Sequence, residues 1–167
     1  EDVTGFRSIY ERAKHHAERL ADQYQRAQKL DVTIFRPSIV IGTPETAVLC
    51  NSGYYQVLTE CRRLRTMLVR SQGDQFNGDV QTRLQGNPST PLNLVPIDFV
   101  VDGMVYLAHC TALAPDKTNL FNIVNEQPPT IKEVHQALVT SLEMTGLKLV
   151  PPDQFEAEPM NQVEKVI

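Results

Sequence analysis

The first thirty residues carry a helical pattern of apolar positions. Apolar side chains recur there at spacings of three and four, with most charged side chains between them, which is typical of an amphipathic helix. We therefore predict a helix over about residues 6–30. Its apolar positions are Phe6, Ile9, Tyr10, Ala13, Ala17, Leu20, Tyr24 and Ala27.

The pattern changes directly after this helix. Residues 32–36 are rich in β-branched side chains and have no helical period, which predicts a buried strand that ends at Pro37. Residues 38–42 continue as a short extended apolar run, and a loop follows at Gly42-Thr43-Pro44.

The rest of the chain alternates in the same way. We predict a helix at 55–70, a long polar loop at 71–91 and a short strand at 92–97. Asp98 is the expected N-cap of an apolar helix reaching about residue 110, and a strand at 120–124 follows. Thr130 and Glu133 spell a capping box that opens a helix to about residue 143. A last strand at 147–150 ends at two prolines, and a short helix is expected within 160–166.

Strands that alternate with helices predict an α/β domain with a mainly parallel sheet. The length of 167 residues suits one domain, and 41% hydrophobic and 22% charged residues exclude a disordered tail, a collagen-like fibre and a coiled coil. The net charge of −4 argues against nucleic acid or an anionic membrane as partner, and no stretch is apolar for long enough to span a bilayer. Cys50, Cys61 and Cys110 form no C-x-x-C pair, so we expect neither a disulfide framework nor a zinc site, and a reducing, cytoplasmic setting.

Tyr10 and Lys14 are the first candidate for chemistry. They stand four residues apart and so lie one turn apart on one face of the predicted helix. A lysine ammonium beside a phenol stabilises the phenolate, and such a pair can exchange a proton in a carbonyl–alcohol interconversion. The alternative is structural: Tyr10 packs in the core and Lys14 is a solvated surface charge.

Four motifs in order extend this interpretation. They are Y-E-R-A-K-H-H-A-E-R-L from Tyr10, V-T-I-F-R-P-S-I-V-I-G from Val32, V-P-I-D-F-V-V-D from Val95 and L-F-N-I-V from Leu120. Together they resemble the C-terminal half of the extended short-chain dehydrogenase/reductases over about residues 5–145. The Y-E-R-x-K form and the R-P-S-I-V-I-G strand look most like the branch of fatty acyl-CoA reductases and thioester reductases, with dihydroflavonol-reductase-like proteins as near relatives.

The resemblance implies a role for each matching residue. Tyr10 would be the catalytic acid/base, and Lys14 would assist it and hydrogen-bond the nicotinamide ribose. Pro37, Ser38, Ile39 and Val40 would line the nicotinamide side of the cofactor, in keeping with ligands that bind outside the carboxyl ends of parallel strands. The alternative is that these four residues have a structural role only, as a strand end with buried β-branched side chains.

The resemblance also implies a fold, a cofactor and partners. The fold would be the C-terminal part of a Rossmann-type parallel-sheet fold with a small substrate-binding region at residues 1–150, followed by an acidic tail at 151–167 with a short helix. The cofactor would be NADP or NAD, with a slight preference for NADP. The substrate would be a small molecule or an acyl thioester. The apolar stripe of the first helix is compatible with a homodimer and equally with core packing.

Some parts of the family pattern do not occur in this sequence. No glycine-rich strand–turn–helix of the kind that holds a pyrophosphate is present, and only nine residues precede Tyr10, so no upstream Ser or Thr is assigned. We therefore expect a C-terminal fragment that lacks the N-terminal half, with little activity and no tight dinucleotide binding by itself; the alternative is a short divergent protein. Two other functions stay open: a sugar-nucleotide epimerase or dehydratase, and a non-catalytic Rossmann-like sensor or scaffold.

Three further features have mainly structural interpretations. The arginines at 62, 63, 65 and 70 could meet a phosphate but more often form a solvated helix face. His15 and His16 are adjacent and point to different sides of a helix, so no metal site is proposed. Asp98 and Asp102 suit a helix start, where negative charge is favourable.

Overall fold

The computed structural model describes residues 5–6, 8–43, 53–110, 117–161 and 163–165. Along them strands and helices alternate, which confirms the α/β class. The helices are α1 (Ile9–Gln28), α2 (Tyr54–Gln72), α3 (Ile97–Ala108), α4 (Ile131–Leu142) and α5 (Pro152–Ala157), with a 3₁₀ turn at Gly73–Gln75. The strands are β1 (Val32–Pro37), β2 (Ile39–Ile41), β3 (Thr82–Gln85), β4 (Leu94–Pro96), β5 (Thr118–Ile123) and β6 (Leu147–Val150).

The strands of the described residues pair two by two. β1 runs parallel to β5, with Val32 opposite Thr118 and Pro37 opposite Ile123. β3 runs parallel to β6, and β2 pairs with β4. Parallel pairing confirms the expectation drawn from alternating strands and helices.

Helix α1 has recognisable signals at both ends. The Ser8 hydroxyl accepts a hydrogen bond of 3.2 Å from the backbone N–H of Glu11, which satisfies one of the free donors of the first turn. Lys29 ends the helix in the left-handed conformation, with φ of 52°. The helix predicted over residues 6–30 is thus confirmed with slightly shorter bounds.

The chain divides into two compact units. Unit 1 comprises Glu1–Val40 and Val95–Val124, and unit 2 comprises Ile41–Leu94 and Asn125–Ile167. In unit 1 the buried side chains of Val95, Val100 and Ile123 pack with the partly buried Phe35, Val40 and Met104. In unit 2 the core is formed by Cys61, Leu64, Val80, Met144 and Leu147.

Three details of the sequence-based prediction are wrong. The segment 71–91 is not one long loop, because it contains the 3₁₀ turn and β3, a polar strand stabilised by its pairing with β6. Asp98 is not the N-cap of α3: Pro96 takes that position, and Asp98 lies in the first turn. The C-terminal helix is α5, with Pro152 in its first turn, whereas residues 163–165 form a turn.

Candidate active site

Tyr10 and Lys14 lie together on the exposed face of α1. The Lys14 ammonium nitrogen is 5.4 Å from the centroid of the Tyr10 ring, a cation–π contact that the spacing of one helical turn brings about. The Tyr10 side chain is 69% exposed, which excludes core packing among the described residues as its role. Neither side chain makes a hydrogen bond to another described residue, so the phenol and the ammonium are available to a ligand.

Pro37 and Ser38 stand where β1 ends. The backbone N–H of Ser38 donates a hydrogen bond of 3.0 Å to the carbonyl of Ile123, which keeps the chain beside β5 for one residue beyond the strand. Val40 packs on the unit 1 core, while Ile39 is 39% exposed. Pro37 is thus the last residue of β1, Ser38 follows it, and Ile39 and Val40 begin β2. The carboxyl end of a parallel strand is the position at which open α/β sheets bind ligands.

Helix α1 and strand β1 are joined by an ion pair. The Arg36 Nε donates to Glu18 Oε1 over 2.8 Å, and Arg36 Nη2 donates to Glu18 Oε2. These bonds lower the pKa of Glu18 and raise the pKa of Arg36. Glu18 stands one helical turn beyond Lys14, and Arg36 directly precedes Pro37, so the pair connects the two halves of the candidate site.

Sequence reasoning missed this ion pair. Nothing in the sequence pairs Glu18 with Arg36, because 18 positions separate them. The signal that could have found Glu18 is its spacing of four residues from Lys14 and eight from Tyr10, which places all three along one side of a helix.

A second contact fixes the far half of α1. The Thr118 hydroxyl, at the start of β5, donates a hydrogen bond of 3.0 Å to Asp22 Oδ1. In the same unit the Phe35 and Phe121 rings stack across β1 and β5 with centroids 6.0 Å apart. The helix that carries Tyr10 is thus held to both strands of the pair.

The donor set of unit 1 fits one end of a dinucleotide. An exposed ammonium and an exposed phenol, on a helix tied to the end of a parallel strand, suit the hydroxyl groups of a ribose and a polar substrate oxygen. Lys14 would meet the ribose, and Pro37 to Val40 would border the nicotinamide. No glycine-rich turn for the pyrophosphate occurs in the sequence.

The other candidates have mainly structural roles. Arg63 pairs with Glu60 over 2.9 Å, and Arg65 donates to the Leu142 carbonyl and to Glu143. Arg62 instead borders a cavity of about 330 Å³ between α2 and α4 that is lined mostly by apolar groups. The phosphate-binding alternative for the arginine cluster therefore gains no support from Arg63 or Arg65.

In the described part of the chain, His15 and Cys61 have packing roles. His15 packs against the Phe6 ring with centroids 5.2 Å apart. Burial raises the pKa of the Cys61 thiol to about 11, which keeps it protonated and unreactive, and Cys50 lies outside the described residues. Within the described ranges, no three His, Cys, Asp or Glu residues group as a metal site would require. None of the helices described there is both long and apolar enough to cross a membrane.

The alternation of strands and helices with parallel strand pairs defines an α/β fold of the Rossmann type. A family model described as "Male sterility protein", of NAD-binding domains, matches residues 1–104, and the chain belongs to this family. No curated protein shows a significant match to the chain.

Solved structures share the fold at low sequence identity. UDP-N-acetylglucosamine 4-epimerase from Bacillus cereus matches with a TM-score of 0.53 and 18% identity, over 85% of this chain and 42% of that protein. dTDP-glucose 4,6-dehydratase from Bacillus anthracis, solved in complex with NAD, matches with a TM-score of 0.55 and 17% identity, over 97% of this chain and 50% of that protein. L-threonine 3-dehydrogenase from Trypanosoma brucei matches with a TM-score of 0.55 and 13% identity, over 99% of this chain and 44% of that protein. The chain thus spans half or less of the length of these proteins, and the likeness shows the fold alone.

Proposed function

We propose that this chain supplies the acid/base pair and the nicotinamide-side strand end of an NAD(P)-dependent oxidoreductase that reduces a carbonyl or an acyl thioester. The observation that carries the proposal is the position of the Lys14 ammonium, 5.4 Å from the ring centroid of a largely exposed Tyr10. Membership of an NAD-binding family and the parallel β1–β5 pair support it.

Each residue has a defined task in this reaction. Nicotinamide supplies a hydride to the carbonyl carbon when the dinucleotide is bound. The Tyr10 hydroxyl donates its proton to the substrate oxygen, on which negative charge develops as the carbon accepts the hydride. Lys14 stabilises the phenolate that Tyr10 then becomes, and donates a hydrogen bond to the ribose. Pro37 to Val40 border the nicotinamide and limit its orientation.

The reaction also has an acyl form. With a thioester, the carbonyl carbon accepts one hydride, the C–S bond breaks, and the departing thiolate takes up a proton, which leaves an aldehyde and a free thiol. Tyr10 would then donate a proton to the aldehyde oxygen when a second reduced dinucleotide supplies the hydride that gives the alcohol. The resemblance slightly favours NADP over NAD. The rival functions, sugar-nucleotide epimerisation or dehydration and a non-catalytic scaffold, share the fold and differ in substrate or in turnover.

Substrate turnover by the intact protein tests the proposal. NADPH or NADH oxidation is followed with a long-chain acyl-CoA and a long-chain aldehyde. With a UDP-sugar, the rival substrate, the sugar product is followed instead in the presence of NAD, because epimerisation and dehydration consume no dinucleotide overall. Isothermal titration measures the affinity for each dinucleotide. We expect oxidation with the acyl-CoA or the aldehyde and tighter binding of NADPH. Turnover confined to the UDP-sugar would favour the epimerase alternative, and dinucleotide binding without turnover would favour the scaffold.

A further inference from the structure

The Glu18–Arg36 pair has a particular place in the candidate site. Tyr10, Lys14 and Glu18 follow one another at intervals of four residues along one side of α1, while Arg36, Pro37 and Ser38 are consecutive at the end of β1. The pair therefore joins the helix that carries the proton donor to the strand end that borders the nicotinamide.

We infer that Glu18 and Arg36 are positioning residues, which set the separation between the Tyr10 hydroxyl and the nicotinamide bound at Pro37 to Val40. The inference rests on the proposed function. It names the contact that holds the Tyr10–Lys14 pair at a fixed distance from Pro37 to Val40. Neither residue is proposed to touch substrate or cofactor.

The geometry of the bond is suited to this task. Two parallel N–H···O bonds from one guanidinium to one carboxylate fix orientation as well as distance, which a single contact does not do. On the strand side, Arg36 lies in register with Asn122 of β5, so its backbone is held by the sheet. On the helix side, the Thr118–Asp22 hydrogen bond restrains α1 one turn further on.

Because the Glu18–Arg36 pair is partly exposed, its effect on the reaction rate can be distinguished from its effect on stability. The Arg36 side chain is 49% exposed and the Glu18 side chain 25%, and ion pairs open to water contribute little to the free energy of folding. Reaction rates depend far more steeply on geometry, since a displacement of about 1 Å can slow a reaction on the order of 100-fold. Loss of the pair should therefore affect turnover much more than unfolding.

Helix α1 offers a matched control. Arg26 forms an ion pair with Asp22 over 2.9 Å within α1, and it bonds the Asp22 oxygen that does not accept the hydrogen bond from Thr118 of β5. Removing the Arg26 guanidinium therefore leaves the Thr118–Asp22 contact in place. Arg36→Gln and Arg26→Gln thus remove the same charge and one ion pair each, and only the first frees the helix from the strand.

The experiment compares these variants in the intact protein. We expect Arg36→Gln and Glu18→Gln each to lower kcat roughly 10- to 100-fold, with dinucleotide Kd and the urea midpoint near the wild-type values. The kcat of Arg36→Lys should lie between the values of these variants and of the wild type, because the lysine ammonium makes one contact where the guanidinium makes two. Arg26→Gln should leave kcat unchanged.

A double variant distinguishes positioning from a general defect. If Arg36 acts through Tyr10, adding Arg36→Gln to Tyr10→Phe should lower the residual rate no further. Wild-type kcat in Arg36→Gln and Glu18→Gln, or full additivity in the double variant, would overturn the inference. Tyr10→Phe with wild-type turnover would instead overturn the proposed function, so the two failures are distinguishable.

Discussion

The Lys14 ammonium lies over the ring of Tyr10, 5.4 Å from its centroid, on a helix face open to solvent. A positive charge at that place interacts with the electron-rich ring face, and more strongly with a ring that has lost its proton. This contact is the geometric basis of the acid/base role that we propose for Tyr10.

Replacement of Lys14 tests whether this residue takes part in the reaction or is only a solvated surface charge. In the intact protein, Lys14→Met removes the charge and keeps most of the aliphatic length, so we expect kcat to fall by about 10²- to 10⁴-fold, the usual contribution of acid/base assistance, and dinucleotide Kd to rise. Steady-state kinetics and titration measure both. Lys132→Met, on the exposed face of α4, is the control and should change neither. Equal kinetics in the two variants would show that Lys14 has no part in the reaction.

The C-terminal segment is fastened to β3 through Arg83. Its Nε donates to Glu164 Oε1 and its Nη2 to Glu164 Oε2, each over 2.8 Å, while Nη1 reaches Glu158 and the guanidinium stacks on the Phe155 ring at 5.0 Å. The Glu164 side chain is 1% exposed. Hydrogen bonds from Arg83 lower the pKa of Glu164 to about 2.

This shift predicts how stability depends on pH. Because the folded-state pKa lies below the ordinary value of 4.5, the stabilisation is fully present above about pH 4.5 and is lost as the pH falls toward about 2. Glu164→Gln should lower the urea midpoint at pH 7 and flatten its fall between pH 5 and pH 3. Glu156→Gln, an exposed position in α5, serves as the control. Equal pH slopes in wild type and Glu164→Gln would contradict the assignment.

The capping box of α4 gives a prediction about local stability. The Thr130 hydroxyl accepts a 3.2 Å bond from the Glu133 N–H, and the Thr130 N–H donates over 2.7 Å to the Glu133 carboxylate. Thr130→Ala should therefore reduce the free energy of unfolding by about 1 kcal/mol, whereas Thr130→Ser should preserve it. Urea unfolding measures both, and an equal loss in the two variants would argue against the cap.

Elements with local signals were predicted well. The apolar spacing of α1 and the Thr130–Glu133 box each depend on residues a few positions apart, and both appear in the structure. β3 was missed because Thr82–Gln85 is a polar segment whose strand conformation depends on pairing with β6, more than sixty residues away. The Arg83–Glu164 ion pair was missed for the same reason, since 81 positions separate its members.

In the candidate site, too, local contacts could be predicted from the sequence and long-range contacts could not. The proximity of Tyr10 and Lys14 follows from helical spacing alone, so the sequence was sufficient to predict it. The link between Glu18 and Arg36 depends on how α1 packs on β1, which no periodicity encodes. The roles of Tyr10, Lys14 and Pro37 to Val40 remain predictions that kinetics must test.

The most direct test of the central claim is the turnover of Tyr10→Phe in the intact protein. The Tyr10 side chain is 69% exposed, so removing its hydroxyl should leave the unfolding midpoint unchanged. We predict a loss of kcat of about 10²- to 10⁴-fold with the best carbonyl or acyl-thioester substrate. Tyr24→Phe, 52% exposed on the same helix, should retain wild-type kcat. Wild-type turnover in Tyr10→Phe would contradict the account.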